Sequence, residues 1–358
     1  MTSVASAPAP APAPTPDARE RRALPLPSVR ELAQRHAYAL VPAGLLIVLF
    51  VVNAIVQPIF VQEHSWSQEM AVAGPTILVA MAMTLPILSG NGGLDLSVGP
   101  LAGFMTVFIA AVLVPAGITT PQLIIPIVIL FGLASGAING VLVAYVRLPA
   151  IIATLGMYLF YDGLGTEVLP QAGGQIPVWI VTLDGSFGPI PGVWVVLAVV
   201  AVIWLVITRG SFIRNLLAVG GDERAAFTAG VNVSALRVAT YAFTGALACL
   251  AGMMLTGVIQ SGDGTVGAPY TISGLTAVAL GGISLAGGRG GLLGGALGGG
   301  VVFLISELLT DAHVSVFQVN IIDGIVLIVA LALNGSYELL RRRSLARRAA
   351  RAPVAAGE

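Results

Sequence analysis

From residue 39 to residue 336 the chain is a succession of apolar segments, each near the length of a membrane span, parted by short polar stretches. A spanning helix takes about 20 mostly apolar residues. By that measure ten segments qualify, near 39–60, 70–89, 98–115, 122–146, 149–168, 192–208, 237–259, 271–287, 292–309 and 316–336. Charged residues make up only 9% of the chain, where a soluble domain carries about 25%. The pattern predicts an all-α polytopic membrane protein with about ten transmembrane helices.

The arginines orient it. Arg19 to Arg35 precede the first segment, and Arg147 follows the fourth. Arg209, Arg214, Arg224 and Arg237 occupy or border the connection between the sixth and seventh, and Arg289 lies between the eighth and ninth. Arg341 to Arg351 follow the tenth. Ten crossings put all of these on one side, which the positive-inside rule makes the cytoplasm; one crossing more or fewer would scatter them over both faces. Both termini are therefore expected inside. Residues 1–38, with prolines at every second position from Pro8 to Pro16, are expected to be a disordered cytoplasmic tail without the apolar core of a signal peptide. Residues 39–336 form the transmembrane domain and 337–358 a basic cytoplasmic tail.

Several chemistries are excluded. Every basic residue is arginine, so the lysine of a nucleotide-binding P-loop or of a Schiff base is missing. The one cysteine, Cys249, and the three histidines, His36, His64 and His313, lie in separate segments, which leaves neither a disulfide within one chain nor a metal cluster. No serine–histidine pair stands at helical spacing. No catalytic residue, metal, cofactor or nucleic-acid partner is expected.

Two halves of the chain resemble each other. Gly132-Leu133, Gly136-Ala137 and Gly140 match Gly291-Leu292, Gly295-Ala296 and Gly299, and Asp162-Gly163 matches Asp323-Gly324. Ser89-Gly90-Asn91-Gly92 followed by Ser97-Val98-Gly99 is echoed by Ser261-Gly262-Asp263-Gly264 followed by Thr265-Val266-Gly267. Five spans, an odd number, separate the copies, so spans 2–5 and 7–10 read as an inverted repeat. Glycines spaced by four make flat faces that let membrane helices approach closely. Asn139, beside one such face, is either an interhelical hydrogen bond or a pathway group.

Two stretches interrupt the apolar pattern. Ser89 to Pro100 places four glycines, an amide and the Asp95 carboxylate between two spans. It is expected to be a re-entrant element near the inner gate, with Asp95 capping the helix that begins near Leu96. In the long connection after the sixth span, Asp222 is a good N-cap, Glu223 suits the positive end of a helix and Gly230 stops it. This predicts a helix of two turns showing Ala225, Ala226 and Ala229, held by packing because so short a helix is marginal alone.

Three motifs carry a family resemblance. Gly92-Gly93-Leu94-Asp95-Leu96-Ser97-Val98-Gly99 resembles the Gly-Gly-Ile-Asp-Leu-Ser-Val-Gly of the membrane subunits of ribose/xylose-type ABC sugar importers. Ala218-Val219-Gly220-Gly221-Asp222-Glu223-Arg224-Ala225-Ala226, followed by Gly230-Val231, is similar to those permeases' cytoplasmic Ala-x-Gly-Gly-Asn-x-x-Ala-Ala segment. Leu280-Gly281-Gly282-Ile283-Ser284-Leu285-Ala286-Gly287-Gly288-Arg289-Gly290 is similar to their Leu-Gly-Gly-Thr-Ser-Leu-Ser-Gly-Gly-Arg-Gly. The departures are small: Leu94 for Ile, Asp222 for Asn, Ile283 for Thr, Ala286 for Ser, and Pro100 for a small residue.

The resemblance implies a multi-pass permease of the bacterial inner membrane that carries a monosaccharide (pentose, hexose or related polyol). It also implies a homodimer or a pair of related permeases in the lipid bilayer, a separate cytoplasmic ATP-binding subunit and a periplasmic or extracytoplasmic sugar-binding protein. The ATPase would dock on Ala218, Gly220, Gly221, Asp222, Glu223, Ala225, Ala226, Gly230 and Val231, where bulky replacements at Gly220, Gly221, Ala225 and Ala226 are expected to uncouple it. Candidate polar groups of the pathway are Asn91, Asp95, Ser97, Asn139, Thr154, Glu307, Asn320 and Asp323. The alternatives are an ion-coupled secondary transporter, with Asp95, Asp162 and Asp323 as coupling carboxylates, and a branched-chain amino-acid ABC permease.

Overall fold

The computed structural model describes residues 37–332 apart from 185, 188, 189, 316 and 317. Most of both expected tails, and the end of the tenth segment, lie outside the described residues. A helix covers each of the ten apolar segments: α1 (Leu40–Val56), α2 (Glu63–Leu88), α3 (Val98–Val107, continued by the π-helical turn Phe108–Leu113), α4 (Pro121–Ala144) and α5 (Ala150–Val168). A short α6 (Val178–Asp184) and a two-residue antiparallel pair, β1 (Ser186–Phe187) with β2 (Ile190–Pro191), lead to α7 (Gly192–Arg209). Two short helices, α8 (Phe212–Gly221) and α9 (Glu223–Thr228), precede α10 (Val233–Ile259), α11 (Ala268–Leu280), α12 (Leu292–Asp311) and α13 (Gln318–Ala332).

The spans in α2, α4, α7, α10 and α12 are long and apolar enough to cross a membrane, and α1, α3 with its π turn, α8, α11 and α13 are shorter apolar helices. This is a polytopic membrane protein with a helical fold. Some boundaries differ from the apolar pattern for local reasons. The second helix starts at Glu63 rather than near 70. The seventh starts at Val233, because the Asn232 side chain accepts from the Ala235 N–H and caps it there. The eighth stops at Leu280 rather than 287, because Gly282, Gly287, Gly288 and Gly290 all take positive φ and lay out a loop instead. The segment before α9, read as connecting chain, is the helix α8.

Two helices form the centre. Of the α2 span, 89% lies inside the protein, against 17% for α7, which lies at the edge. The α10 helix packs on α4, α2 and α3, while α2 packs on α10, α12 and α11. Glycine sets how close they come. Along α4, Gly132, Gly136 and Gly140 lie against Gly245, Tyr241 and Val238 of α10 in turn; along α12, Gly295 and Gly299 lie against Ala80 and Ile77 of α2. In both contacts the residue number rises on one helix and falls on the other, so both pairs are antiparallel. A Cβ at Gly140 would sit 2.6 Å from the Val238 Cα, and one at Gly299 2.7 Å from the Ile77 Cα, so no larger residue fits without moving backbone. Gly291, expected in the second stripe, instead caps α12 and lies beside the Tyr38 hydroxyl.

Candidate functional site

At the C-terminal end of α2 the chain turns through Gly90, Asn91 and Gly92, all with positive φ. Ser89 closes the helix by donating from its hydroxyl to the Pro86 carbonyl at 2.6 Å. The loop then carries Asp95 into the interior, where it is 2% exposed. Its Oδ1 accepts from the Ser97 N–H at 3.0 Å and from the Ser97 hydroxyl at 2.6 Å. The Asn139 amide, reaching from α4, donates to the Ser97 Oγ at 2.9 Å and approaches the Asp95 carboxylate at 3.3 Å. Asp95 therefore does not cap α3 in the way expected: it accepts from the residue before the helix, Ser97, and ties the loop sideways to α4. The Leu94 carbonyl accepts from the Tyr241 hydroxyl of α10 at 3.3 Å, and Thr154 of α5 lies at 3.5 Å from it. A loop of glycines with few side chains is thus held from three helices.

On the same end of the bundle, α9 is built as its residues predict. The Asp222 carboxylate accepts from the Ala225 N–H at 3.0 Å, and Gly230 takes φ +87° at the C-terminal stop. Glu223 pairs with Arg237 of α10 at 2.6 Å. Ala226 is buried with Val219, Val233 and Leu236, while Ala225 and Ala229 are exposed. Ala226 therefore anchors the helix instead of presenting a surface.

The three motifs singled out in the sequence meet at one point. A Cβ on Gly90 would lie 2.8 Å from the Gly220 Cα, one on Gly220 2.5 Å from the Gly288 nitrogen, and one on Gly287 2.7 Å from the Gly90 nitrogen. The Gly288 N–H donates to the Leu88 carbonyl at 3.1 Å. Three loops pass here backbone against backbone, which only glycine permits. Gly220 therefore belongs to this junction and not to an outer surface, whereas a Cβ on Gly221, whose backbone also borders Gly288, would meet nothing within 4 Å.

Beside the junction opens a cleft of about 1200 Å³. Its walls are the loop from Ser89 to Gly93, the turn Arg147–Ala150, α9 from Asp222 to Thr228, and the start of α10 with Arg237 and Tyr241.

The eight candidate pathway residues do not form one group. Asn91 is exposed and lines the cleft; Asp95, Ser97 and Asn139 form the buried cluster just described; Thr154 donates mainly to the Ala150 carbonyl at 2.8 Å. Glu307, on α12, lies beside Glu69 of α2. Asp323 on α13 is buried and accepts from the Ser273 hydroxyl at 3.0 Å, and Asn320 is exposed. Of the docking residues, Ala218, Gly221, Asp222, Ala225 and Gly230 are exposed, Glu223 and Val231 are half-buried, and Gly220 and Ala226 are committed to packing. Sequence reasoning missed Tyr241, Arg147 and Phe227 on the cleft. The signal available for Phe227 was a lone aromatic in a polar, alanine-rich stretch.

A second turn repeats the geometry of the first. Asp263 Oδ1 accepts from the Thr265 N–H and from the Thr265 hydroxyl, both at 2.8 Å. The helices that follow the two turns, α3 and α11, touch through Gly99 and Gly267: a Cβ on Gly99 would lie 2.5 Å from the Gly267 carbonyl oxygen.

The permease model described as "Branched-chain amino acid transport system / permease component" matches residues 66–331. The ribose import permease protein RbsC of Bacillus subtilis (strain 168) is 32% identical over 298 residues, covering 81% of this chain and 90% of the relative. The autoinducer 2 import system permease protein LsrC of Escherichia coli (strain K12 / DH10B) is 30% identical over 309 residues, with 84% and 88% covered. RbsC of Haemophilus influenzae is 31% identical over 297 residues, with 80% and 90% covered. No solved structure gives a significant match.

Proposed function

The chain belongs to the branched-chain amino acid transport system / permease component family, and on that premise we propose that it forms the membrane pathway of an importer for a monosaccharide or related polyol. It is a transport permease subunit of the cytoplasmic membrane, not an enzyme. Permeases of this binding-protein-dependent type work with a separate ATPase and a solute-binding protein, and a chain without lysine has no P-loop of its own. The observation that carries the sugar reading is the identity to the two ribose import permeases over four fifths of the chain. The description of the family favours a second reading, import of a branched-chain amino acid.

Ten crossings, cytoplasmic termini and an inverted repeat of spans 2–5 and 7–10 complete the reading. The helix over each apolar segment, the two antiparallel glycine contacts and the paired Asp–Ser and Asp–Thr turns support it. In it, α8 and α9 take the ATPase. Their displacement passes through Gly220 to the loop before α3 and, through Gly288, to the loop before α12. The subunit works as a homodimer or with a related permease. Asp95 and Asp323 hold hydrogen-bonded places in the packing, which favours a structural role over ion coupling.

Uptake into proteoliposomes holding the permease, its ATPase and its binding protein tests the substrate class. Labelled ribose or another monosaccharide should accumulate with ATP, and excess unlabelled leucine should leave uptake unchanged. Accumulation of leucine without any sugar uptake would establish the amino-acid reading instead.

A further inference from the structure

We propose that the ATPase seats on this subunit through one aromatic knob, Phe227, flanked by Arg224 and Arg147, so that the partner presents an apolar pocket rimmed by carboxylates. The inference rests on the reading of α8 and α9 as the docking segment and says which chemistry does the docking.

Phe227 is 69% exposed although it sits on a firmly mounted helix. Ala226 is buried beneath it, Asp222 caps the first turn, and the Glu223–Arg237 pair fixes the helix to α10. An aromatic ring held out on so constrained a mount loses little freedom when a partner covers it. Arg224 lies three positions earlier, on the same helix face. Arg147, on the turn after α4, lines the same cleft at φ +63°, a left-handed conformation uncommon for a residue with a side chain.

The charges of the cleft do not balance. Glu223 and Arg237 satisfy each other, and Asp222 keeps its negative charge while capping α9, so against Arg147 and Arg224 a single positive charge is left over. Arg147 and Arg224 have no ion pair among the described residues. The unmatched charge is positive, and a carboxylate-rimmed partner complements it. Aromatic and arginine side chains are also the residues that concentrate binding energy at interfaces. A lipid surface is the competing occupant for an exposed ring beside arginines. The relief argues against it: the exposed ring stands on the lining of a cleft of about 1200 Å³, so the matching surface needs a pocket for the ring beside a ridge for the cleft, which a folded protein offers and a headgroup plane does not.

The chain itself makes the test clean. Its one cysteine, Cys249, is fully buried, so Phe227→Cys adds the only accessible thiol among the described residues. In nanodiscs, maleimide labelling of that thiol should slow at least tenfold when the purified ATPase is added. Phe227→Ala should weaken ATPase binding at least tenfold with unchanged expression and thermal stability. Arg224→Glu should weaken it and flatten its salt dependence, and Arg224→Lys should retain most of it. If Ala225→Trp abolishes ATPase binding while Phe227→Ala leaves it within twofold, the segment docks by another face and the knob is wrong. Labelling already blocked by lipid in the absence of ATPase would mean the membrane is the occupant and would overturn the proposal. Failure of the ATPase to bind the unaltered subunit would remove the docking reading itself.

Discussion

The turns at Asp95-Leu96-Ser97 and Asp263-Gly264-Thr265 make the same two local hydrogen bonds, yet their surroundings differ. The first is buried and crosslinked to α4 by Asn139; the second has an exposed Thr265, and Asp263 is held through its backbone, whose N–H donates to the Thr106 hydroxyl at 2.8 Å. The glycine matches explain the asymmetry. If Gly136 answers to Gly295, Asn139 answers to Gly298, which has no side chain to reach a turn. One half of the molecule therefore ties its turn through the Asn139 amide of α4, and the other ties it only through the Asp263 backbone, to the Thr106 hydroxyl of α3. A shared local sequence sets the turn, and a single residue on a neighbouring helix decides how firmly it is held.

The comparison breaks most severely at Asp95. Asp95→Leu leaves the Ser97 N–H and the Ser97 hydroxyl without their buried acceptor, at roughly 1–3 kcal/mol each. It should lower the thermal unfolding midpoint strongly and abolish uptake, whereas Asp263→Leu should do neither to the same degree. Asn139→Ala comes next. It removes the crosslink and leaves the turn intact, costing about 1–3 kcal/mol, and should bring the two turns to similar hydrogen-exchange protection. Asp95→Asn keeps an acceptor for the Ser97 N–H and should retain part of the stability and transport lost in the leucine variant. If the asparagine and leucine variants lose equally, the charge itself is needed. Smallest of all is Gly163→Ala, which meets nothing within 4 Å and should leave melting temperature and uptake unchanged, in contrast with Gly136→Ala, whose Cβ would run into the Tyr241 backbone.

Much of this was legible in the sequence because a membrane imposes length. Apolar runs placed a helix over each segment, and Asp222 with Gly230 marked both ends of α9. The helix α8 was less visible, since its ten residues fall short of a span and contain the two glycines that look like a break. The glycine junction could not be read at all: Gly90, Gly220 and Gly287 lie far apart in the chain, and only tertiary packing shows that their backbones touch. The pathway list failed to converge for a related reason. Polarity within an apolar segment says that a group needs a partner, not whether that partner is a solute or, as for Asp95 and Asp323, another side chain.

The energy source is the central claim, and uptake under a controlled driving force tests it. Proteoliposomes with the permease alone, under an inward proton or sodium gradient, should accumulate no sugar; adding the ATPase, the binding protein and ATP should produce accumulation without any gradient. Uptake driven by an ion gradient with the ATPase absent would contradict the account.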